Sequence, residues 1–148
     1  MDENNYRDTY REFNDLPCVY EKAILQRCCS CGLAHHFNLA ERIGVACTSG
    51  DAQNRCKNFL AILQQKSVFA LQVPDQAQGE LPHAKKIKIQ CGGAIGLKAL
   101  ENMHVDELDI NALLDRACEL HGDIESLPYE ELVRSVVHFE GRKRRRPK

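Results

Sequence analysis

Residues 28–31 read Cys-Cys-Ser-Cys, three thiols in four positions. No other feature narrows the possible folds as much. They belong to a set of eight: Cys18, Cys28, Cys29, Cys31, Cys47, Cys56, Cys91 and Cys118, in 148 residues. In an oxidising compartment eight cysteines would read as a disulfide framework. The first residues, MDENNYRDTYREFND, are acidic and polar, whereas a secretory leader opens with a basic patch and an apolar stretch. The expected location is therefore cytoplasmic. Thiols stay reduced there, and clustered cysteines point to metal or redox chemistry. No apolar run approaches the roughly 18 residues that a membrane span needs, so no membrane contact is expected.

Apolar residues make up 43% and charged residues 28% of the chain, enough for one soluble domain with a real core. The net charge of −1 conceals a segregation. Residues 1–16 carry −3, 17–91 carry +4, 92–140 carry −8 and 141–148 carry +6. Seven of the eight cysteines lie in the mildly basic 17–91 segment. A positive surround favours the thiolate over the thiol.

Residues 1–14 show no apolar periodicity and are read as a flexible acidic arm. A helix is predicted from Asp15, with Pro17 in its first turn and Val19, Tyr20, Ala23 and Ile24 on one face. The cysteine turn RCCSCGLA follows. HHFNLAERIG reads as a short helix ended by Gly44, and VACTSGD as a connection carrying Cys47. The clearest helix is 51–73, with Ala52, Cys56, Phe59, Leu60, Leu63 and Ala70 at three- and four-residue steps and Pro74 as its stop. Residues 74–84 have loop composition. KKIKIQC alternates like a short strand, ended by Gly92 and Gly93. In GGAIGLKAL the glycine spacing lacks a nucleotide-binding fingerprint, so it reads as a strand-to-helix turn. Two helices close the domain. In DINALLDRACELHG the core positions are Ile110, Leu113, Leu114, Ala117 and Leu120, with Gly122 as cap. In SLPYEELVRSVVHF they are Tyr129, Leu132, Val133 and Val136, behind a Ser126 N-cap. The fold class is mainly α: a small single helical domain over 15–140. It has at most one short strand or β-ribbon, and a Cys-rich metal or cluster site between helices. Residues 141–148 are read as a disordered basic tail.

Packing alone explains some of the thiols, because free cysteine behaves as a small buried hydrophobe. Cys118 lies within an amphipathic helix, Cys91 continues the alternation, and Cys56 fits the apolar face of its helix. Packing does not explain three thiols in one turn. The expected ligands are Cys18, Cys31, Cys47 and Cys56, one from each of four segments, with Cys28 as the substitute for Cys31 and Cys91 in reserve. Structural zinc usually takes two tight cysteine pairs. Here Cys28 and Cys31 have that spacing, while Cys47 and Cys56 are too far apart. Iron–sulfur clusters tolerate wider spacings, so the expected cofactor is a [4Fe–4S] cluster, with zinc as the alternative. His35 and His36 read as a surface pair rather than ligands. Cys28 and Cys31 also make a C-x-x-C, but the βαβ pattern of a thiol oxidoreductase is missing.

The expected function is a small metal-binding protein, iron–sulfur in type, acting as an accessory, electron-transfer or sensor component for a protein partner. No hydrolase motif is present, and independent catalysis is not expected. The alternative is a zinc-stabilised nucleic-acid-binding or regulatory module. It would grip phosphate through Arg142, Lys143, Arg144, Arg145 and Arg146, although no aromatics are interleaved for base stacking.

Overall fold

A computed structural model of the chain describes residues 3–72, 81–100 and 108–140. In order, the elements are α1 (Glu3–Phe13), α2 (Glu21–Leu25), β1 (Ala34–Leu39), β2 (Arg42–Cys47), α3 (Gly50–Ala70), α4 (His83–Leu100), α5 (Ile110–His121) and α6 (Tyr129–His138). A short 3-10 turn at Ile124–Ser126 joins α5 to α6. The protein is mainly helical, with one two-stranded antiparallel sheet. Among the described residues no helix is long and apolar enough to cross a membrane.

The core lies where α3, α4, α5 and α6 meet. Phe59 and Leu63 from α3, Leu97 from α4, Leu113 and Leu114 from α5, and Leu132 and Val136 from α6 are fully buried. The α4–α6 contact is the most extensive between helices, and glycine makes it possible. A Cβ on Gly92 would stand 2.5 Å from the Val136 Cα, and one on Gly96 would meet Ser135 and Leu132 at 3.0 Å. On the adjoining face, a Cβ on Gly93 would meet Leu63 at 2.5 Å. These glycines give up helix propensity, about 1 kcal/mol each, for close approach of the backbones.

Several expectations are corrected. KKIKIQC is the first half of α4, not a strand, and Gly92 and Gly93 continue the helix rather than end it. From Ile89 to Leu97 every residue but Ile95 is buried. A helix buried nearly all round shows no 3.6-residue period, and its short apolar runs imitate a strand. HHFNLAERIG is a β-hairpin rather than a helix. Its two-residue turn, Ala40 and Glu41, has both φ values positive, at 48° and 69°. Such turns usually carry Asn or Gly, so the turn signal was missing. Gly44 lies opposite Phe37 across the hairpin, where a Cβ would meet the Phe37 ring at 2.4 Å.

Residues 3–13 are helical rather than a loose arm. The apolar surface of α1 is made by tyrosines: Tyr10 stacks near Phe37 with ring centroids 5.7 Å apart, and the Arg42 guanidinium lies 4.3 Å from the Tyr6 ring. Residues 15–20 do not form the first turns of a helix. α2 begins only at Glu21, and Pro17 pairs with Ala46 beside β2. At the other end, α5 and α6 fall where periodicity places them. Leu120, however, is 52% exposed, and α6 follows Pro128 without a side-chain cap, so Ser126 is not its N-cap. The expected stop at Pro74, most of the 74–84 loop and the basic tail lie outside the described residues.

Candidate metal centre

Four chain segments converge at one end of the molecule. Residues 16–18 run antiparallel to β2: the Cys18 N–H donates to the Val45 carbonyl at 3.0 Å, and the Cys47 N–H to the Leu16 carbonyl at 2.7 Å. This pairing sets Cys18 beside the end of β2, where Cys47 sits. Ser49 then caps α3 by accepting from the Ala52 N–H. The first turns of α3 carry Gln53 and Cys56. The Gln53 amide donates to the Pro17 carbonyl at 2.9 Å, tying α3 to the Cys18 segment.

The cysteine turn is held by the start of α5. Ser30 and Asp109 form a parallel bridge, in which the Ser30 N–H donates to Leu108 and the Ile110 N–H to Ser30, each at 2.8 Å. Asp109 does two jobs with its carboxylate: one oxygen caps α5 at the Ala112 N–H, and the other accepts from the Gly32 N–H at 3.1 Å. Arg55 of α3 reaches the Asn111 side chain and carbonyl and pairs with Asp115. The clamp fixes α3 against α5.

Cys18, Cys31, Cys47 and Cys56 all line one small cavity between these segments, with Val19, Ala34, Ala52 and Ile110 as its apolar walls. The cavity holds about 20 Å³. That is room for about one water. Backbone N–H groups already point at two of the sulfurs. Tyr20 donates to Cys18, and Leu33 and Asn111 donate to Cys31. Such bonds favour the thiolate. The first turns of α3 and α5 both border the cavity, and a helix N-terminus adds positive potential.

Burial works the other way. It pushes the Cys18 thiol up to about 11 and the Cys56 thiol up to about 12, and it raises Cys31. The Asp109 carboxylate raises Cys31 further, while Arg55 partly offsets the shift at Cys56. The mildly basic charge of the 17–91 segment therefore does not decide the state of these three thiols; burial does. A metal would have to displace their protons on binding.

The remaining thiols separate into two groups. Burial, with Cys28 and Cys29 adding to it, pushes the Cys91 thiol up. Cys28 and Cys91 are not among the residues that line the cavity. Cys118 lies on α5 beside an open groove with Arg55 and Asp123. All eight cysteines are free. His35 and His36 are exposed on β1. Arg142–Arg146 lie outside the described residues.

Two features were not visible in the sequence. Asp109 and Asn111, far along the chain, organise the cysteine turn. The second is Tyr20. Its side chain is fully buried and its hydroxyl has no hydrogen-bond partner among the described residues. The ionisable groups that act on it are Cys29, Cys56, Cys91 and Cys18. Leaving a buried hydroxyl unpaired costs about 1–3 kcal/mol. A sulfur bearing negative charge would satisfy it.

Among the described residues, no three Cys, His, Asp or Glu side chains stand close enough to hold a single metal ion. A zinc ion with bonds of about 2.3 Å needs its sulfurs within about 4 Å of one another. A cluster distributes its cysteines over separate irons and so takes a wider set of sulfurs. The donor type fits a cluster, while the cavity volume requires its walls to move apart. Compared with known protein families, curated proteins and solved structures, the chain matches none of them.

Proposed function

We propose that the chain is a small cytoplasmic iron–sulfur protein that holds a [4Fe–4S] cluster on Cys18, Cys31, Cys47 and Cys56. It serves as an accessory, electron-transfer or sensor component for another protein. The observation that carries this reading is the convergence of four thiols from four separate segments on one apolar-walled cavity. Such a cluster supplies one-electron chemistry. The chain's own part is to bind through the four sulfurs and to exclude water with Val19, Ala34, Ala52 and Ile110. The N–H groups of Tyr20, Leu33 and Asn111 lower the electron density on Cys18 and Cys31, which raises the reduction potential. Zinc is less well supported, because one ion would need a tighter convergence of sulfurs.

The test is metal and acid-labile sulfide content after anaerobic purification. The reading predicts a brown protein with iron and sulfide in equal amounts, about four of each per chain. A colourless protein with one zinc contradicts the cluster and keeps the site. A protein with neither metal, and with no uptake on reconstitution, contradicts the site.

A further inference from the structure

Lys66 of α3, Glu125 of the 3-10 turn, and Glu130, Glu131 and Arg134 of α6 line a groove of about 700 Å³. Leu127 and Tyr129, which also line it, are buried, so a ligand meets charge first. Glu125, Glu130 and Glu131 are exposed, and none is ion-paired among the described residues. Glu125 also borders a second groove with Asp51 and Asp123, which have no ion pair there either. The cations facing these five carboxylates are Lys66, which lies 5.8 Å from the Tyr129 ring centroid, Arg134, and Arg55, which is already paired with Asp115. α6 ends at His138, one turn past Arg134, and the chain leaves it at a fixed point: the Phe139 carbonyl accepts from Lys88 of α4 at 2.8 Å. Residues 141–148 then carry Arg142, Lys143, Arg144, Arg145, Arg146 and Lys148, a charge of +6. Extended, they span up to about 28 Å, against roughly 15 Å for the length of α6. A segment turning back along α6 passes the whole groove.

We propose that this groove is the docking surface for the chain's own basic segment, residues 142–148, which lies in it through contacts of its guanidinium and ammonium groups with Glu125, Glu130 and Glu131. Arginine suits the site because its planar fork meets a carboxylate with two parallel hydrogen bonds. Each exposed pair is weak by itself, but the segment is tethered beside the groove, and a short tether replaces free diffusion with a high local concentration. While docked, these cations are withheld from nucleic-acid phosphate and other polyanions. Neither the groove nor the segment carries a proposed metal ligand, so the proposal stands apart from the metal reading.

The probe is a fluorescein-labelled peptide of residues 141–148, GRKRRRPK, titrated with full-length protein at low ionic strength and followed by fluorescence anisotropy. Two chains are compared: the wild type, and a neutral-tail variant with Arg142→Gln, Lys143→Gln, Arg144→Gln, Arg145→Gln, Arg146→Gln and Lys148→Gln together. The peptide should bind the neutral-tail variant and be displaced by salt. A tethered segment acts at roughly millimolar effective concentration, so for a peptide with a Kd of about 0.1 mM the wild type should bind about tenfold more weakly. Adding Glu125→Gln, Glu130→Gln and Glu131→Gln to the neutral-tail variant should remove the binding, while adding Asp8→Asn, Glu12→Gln and Asp15→Asn, an equal loss of negative charge elsewhere, should leave it. Equal affinity for the wild type and the neutral-tail variant gives the groove to a basic segment of another protein and overturns the proposal. No binding to the neutral-tail variant, binding that survives the three groove substitutions, or an equal loss in the control triple each overturns it as well. A wild type that self-associates in sedimentation while the neutral-tail variant does not assigns the groove to a second copy's segment, and also overturns it.

Discussion

Where α4 meets α6, glycines let backbone press on backbone; where Cys18, Cys31, Cys47 and Cys56 face one another, thiols surround a gap. The helical region is closed by contacts that tolerate no added methyl group. The cysteine end is built from a paired strand segment, a turn, a hairpin end and two helix starts, tied by single hydrogen bonds. Close packing maximises dispersion and burial. The segments around Cys18 and Cys31 instead leave a fully buried Tyr20 hydroxyl unpaired, and burial raises the Cys18 and Cys31 thiols against N–H donors that favour the thiolate. One region is complete as it stands, and the other leaves a small gap among its thiols.

The largest effect is expected from the ligands themselves. Cys47→Ser or Cys56→Ser should abolish bound iron or reduce it severalfold, measured as iron per chain, while the helical region keeps its far-ultraviolet circular dichroism. Iron retained at the wild-type level in both variants would break the assignment.

Next comes the opposite lesion. Gly92→Ala forces a Cβ onto the Val136 backbone. Overpacking of this kind should cost about 1–3 kcal/mol of stability in denaturant titration, more than the helix propensity gained. Iron per folded chain should not change. If Gly92→Ala stabilises the protein, the close α4–α6 contact is wrong.

A pH series sharpens the contrast further. The folded metal-free chain holds Cys18, Cys29 and Cys56 as thiols up to about 11, 12 and 12, against about 9 for an unfolded cysteine. Above about 9 the unfolded chain loses these protons and the folded chain does not. Stability is then full below 9 and falls as pH rises toward 11–12. Thermal melts of the metal-free protein at pH 8 and pH 10.5 should show the drop. The metal-loaded protein, whose ligands are already deprotonated, should show a smaller one.

The smallest effect is expected at Cys118, on α5 and away from both thiol groups. Cys118→Ser should leave iron content unchanged and alter stability by less than about 1 kcal/mol in the same titration.

Legibility of the sequence followed the same division. Helices α5 and α6 each bury one stripe, and their periodicity, with the Gly122 cap of α5, marks them in the bare chain. α3 is legible too, because Cys56, Phe59 and Leu63 recur on one face. α4 is not, because Gly92, Gly93 and Gly96 give it neighbours on several sides and erase the period. The hairpin hides behind Ala40-Glu41, a pair that rarely takes two positive φ values. At the candidate site, the density of cysteines was visible, but the partner of each was not. Cys28 and Cys31 look like a pair by spacing, yet Cys31 lines the cavity and Cys28 does not. The convergence of Cys18, Cys31, Cys47 and Cys56 depends on contacts between distant segments, such as Gln53 with Pro17, and no local pattern encodes them.

The most direct test of the account is hydrogen–deuterium exchange on the anaerobically purified protein before and after the metal is stripped with a chelator. The account predicts that stripping speeds exchange of the amides of residues 16–18, 28–34 and 45–56 and leaves α4 and α6 unchanged. Equal exchange in both forms, or a loss of protection spread evenly over α4 and α6, would contradict a metal that closes the cysteine end.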